Sequence, residues 1–353
     1  CAALTRRGLK VQPFKKGPDY IDPMWLGLAC GRPCHNLDFF LSPDQEIVDT
    51  FAQRSHGAQV ALAEGNKGLY DGLNLDGSNS NAALAKLLRL PVILVVDARG
   101  MTRGVAPLLL GYQAFDREVN IAGVILNQLG GRRHEKKLRA VIEHYTHIPV
   151  IGAVQHDDRL AIVERHLGLM PSNETAEATR KIVAIADAVE SQVDLERLLA
   201  VTRSGSQPES APSITAPAPL RDNTSKVKLG IARDAAFGFY YPGDLESLER
   251  HGADLVPFDT LRDAHLPDVD GLFIGGGFPE THMQALEANQ SLRAEIRTAL
   301  QNGLPAYAEC GGLMYLSRSL NWNGNTHAMV GAIPADTVMH DRPQGRGYAV
   351  LRE

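Results

Sequence analysis

The chain has 353 residues, 44% of them hydrophobic, and a formal net charge of −5, which suffices for two or three ordinary cores and excludes a non-specific nucleic-acid binder. No apolar run is long enough to span a bilayer, and the opening CAALTRRGLK lacks the apolar core and cleavage pattern of a secretory signal, so the sequence reads as cytoplasmic and without a membrane partner. Four cysteines in so long a chain make no disulfide framework, and a reducing compartment keeps them as thiols.

In chain order, CAALTRRGLK reads as the body of a helix. VQPFKKGPDYIDP (11–23) follows, and its two prolines and glycine predict an ordered loop. Lys15 and Lys16 there either neutralise anionic oxygens or are solvated surface charge, while Asp19, Tyr20 and Asp22 offer polar groups. Cys30, Cys34 and His35 supply at most three metal ligands, and no second pair completes a zinc site. Next come apolar runs at 60–65, 91–97, 121–127 and 148–154, separated by helical patterning at 81–90 and 132–145. Such alternation implies a parallel, doubly wound sheet. A helix over 183–200 carries an apolar stripe suited to capping this first domain, or to pairing with a second subunit in a homodimer. TRSGSQPESAPSITAPAPLRDNTSK (202–226) has the composition of a solvated linker. The strand grammar returns at 227–234, 253–258, 270–277 and 304–310. The division expected is thus a first domain over 1–201, a linker over 202–226 and a second α/β domain over 227–353.

In open α/β sheets ligands sit at the carboxyl ends of strands. Those ends carry Glu64, with Asp71 a few residues on, then Asp97 and Asn127. Carboxylates beside glycine-rich turns suit Mg²⁺ and phosphate handling, although turn and cap roles explain each residue taken singly. In the second domain Cys310 follows the run Leu304–Pro305–Ala306 and precedes Gly311 and Gly312. A cysteine on a strand-to-helix turn flanked by glycines suits a nucleophile for acyl transfer; a buried core cysteine is the alternative. No G-x-x-x-x-G-K-[ST] occurs, and the nucleotide-binding strand and loop would belong just before the first helix.

PFKKGPDYIDP, AEGNKGLYDG, GGGFPE (275–280) and AECGGLMYL (308–316), in that order, resemble the cobyrinate a,c-diamide synthase family over essentially the whole chain. The resemblance implies a P-loop NTPase-like, dethiobiotin-synthetase-like ATP domain followed by a class I glutamine amidotransferase domain. It implies ATP, Mg²⁺ and glutamine or ammonia as reactants, and cobyrinic acid or a related tetrapyrrole whose a and c acetates become amides through acyl phosphates. It casts Cys310 as the glutaminase nucleophile, with Gly276, Gly277 and Gly311 around the oxyanion hole. Glu64 falls to a magnesium ligand, Lys15, Asp19 and Asp71 to the ATP and substrate cleft, Tyr20 to the choice of carboxylate and Asn127 to adenine. The family's catalytic histidine belongs to a late G-H-E-F-H-like motif that GRGYAVLRE does not reach; His327 and His340 lie outside that motif. The expectation is therefore a fragment, inactive or severely impaired in both half-reactions. A diamide synthase acting on nickel sirohydrochlorin, in the coenzyme F430 pathway, resembles the chain in both loops. A partition-type regulatory ATPase, with Cys310 merely structural, is the reading from another class.

Overall fold

A computed structural model describes residues 1–162, 164–165, 168–172, 177–204, 226–340, 342, 344 and 345. The chain divides into two compact units, Cys1–Val163 with Glu177–Ser213, and Glu164–Ala176 with Ile214–Glu353. Among the described residues no helix is long and apolar enough to cross a membrane.

The first unit opens with α1 (Ala2–Arg6) and holds two three-stranded parallel sheets. In one, β1 (Val11–Lys16) lies between β2 (His35–Leu37) and β3 (Val60–Glu64). In the other, β5 (Ile121–Leu129) lies between β4 (Val92–Asp97) and β6 (Val150–Gln155). Helices α2 (Ile21–Cys30), α3 (Asp44–Ser55), α4 (Asn81–Leu87), α5 (Val105–Phe115) and α6 (Arg132–Tyr145) alternate with the strands. On α6, Leu138 and Ile142 recur one turn apart and are fully buried, with Val141 packed beside them and charged residues along most of the remaining surface, the stripe that a surface helix needs.

VQPFKKGPDYIDP is not the loop its prolines suggested. Its first six residues form the central strand β1, with Val11 to Lys15 all buried. A parallel strand covered on both faces shows no alternation, and the lysine that made the stretch look exposed is buried against carboxylates. The helix expected over 183–200 is two helices, α7 (Ala178–Gln192) and α8 (Leu195–Ser204). The chain turns extended at Val193, whose bridge to Gly152 covers the β6 edge, and Asp194 caps α8 by accepting from the Arg197 N–H. Their apolar stripe caps the first unit, with Ala186, Val193 and Leu195 buried in one cluster with Leu4, Val11 and Val60. α8 runs to Ser204, past the start expected for the linker at 202, and 205–225 lie outside the described residues.

A short antiparallel pair, β7 (Glu164–Arg165) and β8 (Gly168–Leu169), precedes α7. The second unit is built on a parallel sheet of order β11-β9-β12-β14 (Ala253–Phe258, Val227–Ala232, Gly271–Ile274, Ala306–Ala308). A small ribbon of β10 (Phe237–Phe239) and β13 (Gly276–Gly277) lies at its carboxyl end. Helices α9 (Pro242–Arg250), α10 (Met283–Ala288), α11 (Gln290–Gln301) and α12 (Gly311–Leu316), with the mixed sheet of β15 (Ser319–Trp322), β16 (Asn325–Ala328) and β17 (Asp336–Val338), complete it. Phe237, Ile274, Leu286, Ile296, Tyr315 and Leu320 form its core without exposure.

Candidate active site

Two groups of residues stand at carboxyl ends of strands, one in each unit. In the first unit Lys15, next to last in β1, lies beside Glu64 at the end of β3, its register partner. The Lys15 side chain is 3% exposed, and its ammonium lies 2.5 Å from Asp22, 3.6 Å from Glu64 and 3.8 Å from Asp19. Burial works against the charge of Lys15, but Glu64, Asp22 and Asp19 outweigh it and raise the pKa. Burial likewise raises Glu64 and Asp19, offset in both by Lys15. Asp19 also accepts from the Ile21 and Asp22 N–H groups, which opens α2 just after Tyr20.

Three carboxylates on one ammonium leave a formal net charge of −2. That donor chemistry fits Mg²⁺, which takes one or two carboxylates and completes its shell with water and phosphate oxygens. No cage of three ligating side chains exists among the described residues, as such a shared ion requires none. Asp71 stands apart. Its carboxylate accepts from the Gly68 N–H at 2.9 Å and holds the turn after Glu64. Asn127 lies on β5 opposite Asp97, and the strand continues two residues beyond it.

Asn81, which nothing in the sequence singled out, shapes the loop between Glu64 and Asp71. It accepts from the Asn66 N–H at 3.1 Å and donates to the carbonyls of Asn66 at 2.5 Å and Gly68 at 2.9 Å. Between those anchors Lys67 is held at φ 52°, in the left-handed region a non-glycine residue rarely occupies.

In the second unit β14 delivers Cys310 onto a sharp turn into α12, at φ 48° and ψ −115°. Cys310 is exposed whereas Cys30 and Cys34 are buried, which removes the core-cysteine alternative. Ile274 pairs with Ala308 across adjacent strands, so the loop 275–277 arrives beside the cysteine. The backbone N–H groups of Gly277 and Gly311 favour the charged form of the Cys310 sulfur. A Cβ on Gly276 would stand 3.4 Å from that of Cys310, and one on Gly311 3.0 Å from the Gly277 nitrogen. Tyr240, also missed in the sequence, pins this loop: its hydroxyl accepts from the Gly275 N–H at 3.0 Å and donates to the Ala232 carbonyl at 2.7 Å.

Partial burial of the sulfur raises the Cys310 pKa, the two N–H groups lower it, and the charges of Glu280 and Glu309 raise it further. Among the described residues, the leading influences on it include no histidine. His327 is paired with Glu287 at 2.7 Å, and His340 is exposed after β17.

A model of a CobB/CobQ-like glutamine amidotransferase domain matches residues 228–352, and a model of an AAA domain matches residues 44–162. A cobyrinate a,c-diamide synthase of Magnetococcus marinus is 47% identical over 98% of this chain and 75% of its own length. Those of Methanosarcina acetivorans and Listeria monocytogenes serotype 4b are 42% and 41% identical, over 96% and 99% of this chain and 73% and 76% of theirs. The chain belongs to the cobyrinate a,c-diamide synthase family. Cobyrinate a,c-diamide synthases are ATP-dependent amide ligases that use glutamine. The lysine–carboxylate cluster belongs to the unit that the AAA model overlaps, and the Cys310 elbow to the amidotransferase unit.

Proposed function

We propose that this chain amidates the a and c acetate carboxylates of cobyrinic acid in cobalamin biosynthesis. A carboxylate does not accept ammonia directly, because its leaving group would be an oxide. Transfer of the ATP γ-phosphoryl group to a carboxylate oxygen, with loss of ADP, gives an acyl phosphate; ammonia attacks its carbonyl carbon and phosphate leaves. In the first unit the task is positioning and charge neutralisation. Lys15 organises Asp19, Asp22 and Glu64, of which Glu64 and Asp19 would hold Mg²⁺, whose charge offsets that of the phosphates. Tyr20 and Asp71 shape the substrate side, and Asn127 faces adenine. In the second unit the Cys310 sulfur attacks the glutamine γ-carbonyl, ammonia leaves, and water releases glutamate from the γ-glutamyl thioester. The N–H groups of Gly277 and Gly311, with Gly276 giving close approach, stabilise the oxyanion, each donor worth about 3 kcal/mol. Four free thiols support a cytoplasmic setting.

The observation that carries this reading is the glycine-lined Cys310 elbow joined in one chain to a buried lysine ringed by three carboxylates. A purely regulatory ATPase leaves that elbow without a task. The test is a visible-absorbance titration of the chain with Mg·ATP present, comparing cobyrinic acid with nickel sirohydrochlorin. Cobyrinic acid is expected to bind at least about tenfold more tightly, a difference of ~1.4 kcal/mol. The reverse order would move the chain to the nickel macrocycle, and no binding of either would return the regulatory reading.

A further inference from the structure

Helix α5, VAPLLLGYQAF, contains no charged residue, although one side of it faces water. Pro107, Leu110, Gly111 and Ala114 are exposed at helical spacing and form one apolar stripe, and Phe115 beside them is 76% exposed. A surface helix ordinarily turns polar residues outward, and a contiguous exposed apolar face marks an interaction surface. Gly111 adds to this. A Cβ there would meet nothing within 4 Å, so no neighbour in the chain requires a glycine, which costs a helix interior about 1 kcal/mol against alanine. A second backbone packed on the stripe would require one.

Beside the first half of the stripe lies a cavity of about 400 Å³, lined by Arg103, Gly104, Ala106, Pro107, Leu110 and Tyr145. The protruding phenylalanine and the hollow thus belong to opposite ends of one helix. A two-fold axis between Leu110 and Gly111, the middle of the stripe, exchanges positions 107 and 114 and sets 106 opposite 115. Phe115 of each copy then enters the cavity of the other. The same operation sets 103 opposite 118, where the charges are opposite. Arg103 has the Tyr145 ring, 5.3 Å from its guanidinium carbon, and no carboxylate among the described residues. Glu118 is 80% exposed and shares Lys86, 3.3 Å away, with Asp116, which holds that lysine more closely at 2.8 Å. Arg117 is exposed too and falls opposite Gly104, which carries no charge. We propose that this face binds a second copy of the chain, α5 packing antiparallel on α5, with Phe115 as the knob and an Arg103–Glu118 pair closing each end.

Sedimentation velocity of the 353-residue chain tests this. A dimer with a Kd of about 1 µM or tighter is expected, the weak end of what a standard-size interface delivers. Leu110→Glu buries two carboxylates beside the axis and weakens association at least about 100-fold. Leu110 is 42% exposed, so this variant keeps its circular-dichroism spectrum as a monomer. Arg103→Glu and Glu118→Arg each set like charges against one another and weaken the dimer about tenfold or more. Combined in one chain, they restore the native affinity to within about threefold, because each end regains opposite charges. That rescue separates the pair across the axis from the contacts with Tyr145 and Lys86, which the combined variant still lacks. A chain that stays monomeric up to about 100 µM, or a dimer that Leu110→Glu leaves intact, overturns the surface. A combined variant that associates no more tightly than either single one overturns the antiparallel register.

Discussion

Replacing Lys15 by methionine is expected to destabilise the first unit by about 3 kcal/mol at pH 7.5, the low end of the cost of breaking a buried ion pair. The ammonium is almost wholly buried, whereas Asp22, Asp19 and Glu64 retain 25%, 33% and 43% exposure, so water softens part of the penalty. Methionine keeps the volume of the stem, and what is lost is the one cation among three carboxylates. The loss depends on pH with a definite sign. In the native chain the Lys15 pKa is raised, so its contribution is complete at neutral pH and disappears only as pH rises through that elevated value. In the variant, Asp19 and Glu64, already raised by burial, rise further. A folded state holding carboxyl protons more tightly than the unfolded chain gains stability as pH falls, so the deficit shrinks between pH 7.5 and pH 5. Urea unfolding of both proteins at the two pH values measures this. An equal or larger deficit at pH 5 would mean that the carboxylates do not depend on Lys15.

Gly312→Ala is expected to cost about 3 kcal/mol or more in the second unit, at the upper end of overpacking penalties. Its Cβ would lie 2.1 Å from the Ile274 carbonyl oxygen and 3.0 Å from that of Gly275. Both obstacles are backbone, so no rotamer change relieves them. The start of α12 must move off β12, and fully buried Tyr315 on the same helix moves with it. Cys310 immediately precedes this helix, so its position relative to the backbone of Gly277 and Gly311 changes. Gly243→Ala is the control. It lies on α9 with nothing within 4 Å of its Cβ, and alanine there is expected to be neutral or stabilising, by up to about 1 kcal/mol. Melting curves that leave Gly312→Ala and Gly243→Ala indistinguishable would contradict the tight packing of the elbow.

These cases mark what a sequence makes legible. The Cys310 turn was readable because only a few residue types tolerate a sharp strand-to-helix corner, and the glycines beside it advertise close backbone approach. The flanking strands were readable from their apolar runs; α6 emerged over the 14 residues that its amphipathic pattern spans. Burial of Lys15 was hidden, because its partners Asp22 and Glu64 are separated in sequence and a buried ion pair leaves no periodic signal. Asn81 and Tyr240 were hidden for the same reason. Each holds a loop distant in sequence, 13 to 15 residues away for Asn81 and 35 for Tyr240, and neither residue type signals such a task by itself. The break at Val193 eluded the helical stripe, which continues through both α7 and α8 while the backbone does not.

The central claim is that the carboxylate cluster in the first unit is the place where a polycarboxylated substrate meets Mg·ATP. Its most direct test is titration of cobyrinic acid with and without Mg²⁺, in the native chain and in a variant combining Asp19→Asn with Glu64→Gln. Asparagine keeps an oxygen to cap α2, so the fold is retained. In the native chain Mg²⁺ is expected to tighten binding at least about tenfold, since it bridges like charges that otherwise repel; in the variant this dependence vanishes. Identical affinity with and without Mg²⁺ in the native chain, or an unchanged Mg²⁺ effect in the variant, would contradict the account.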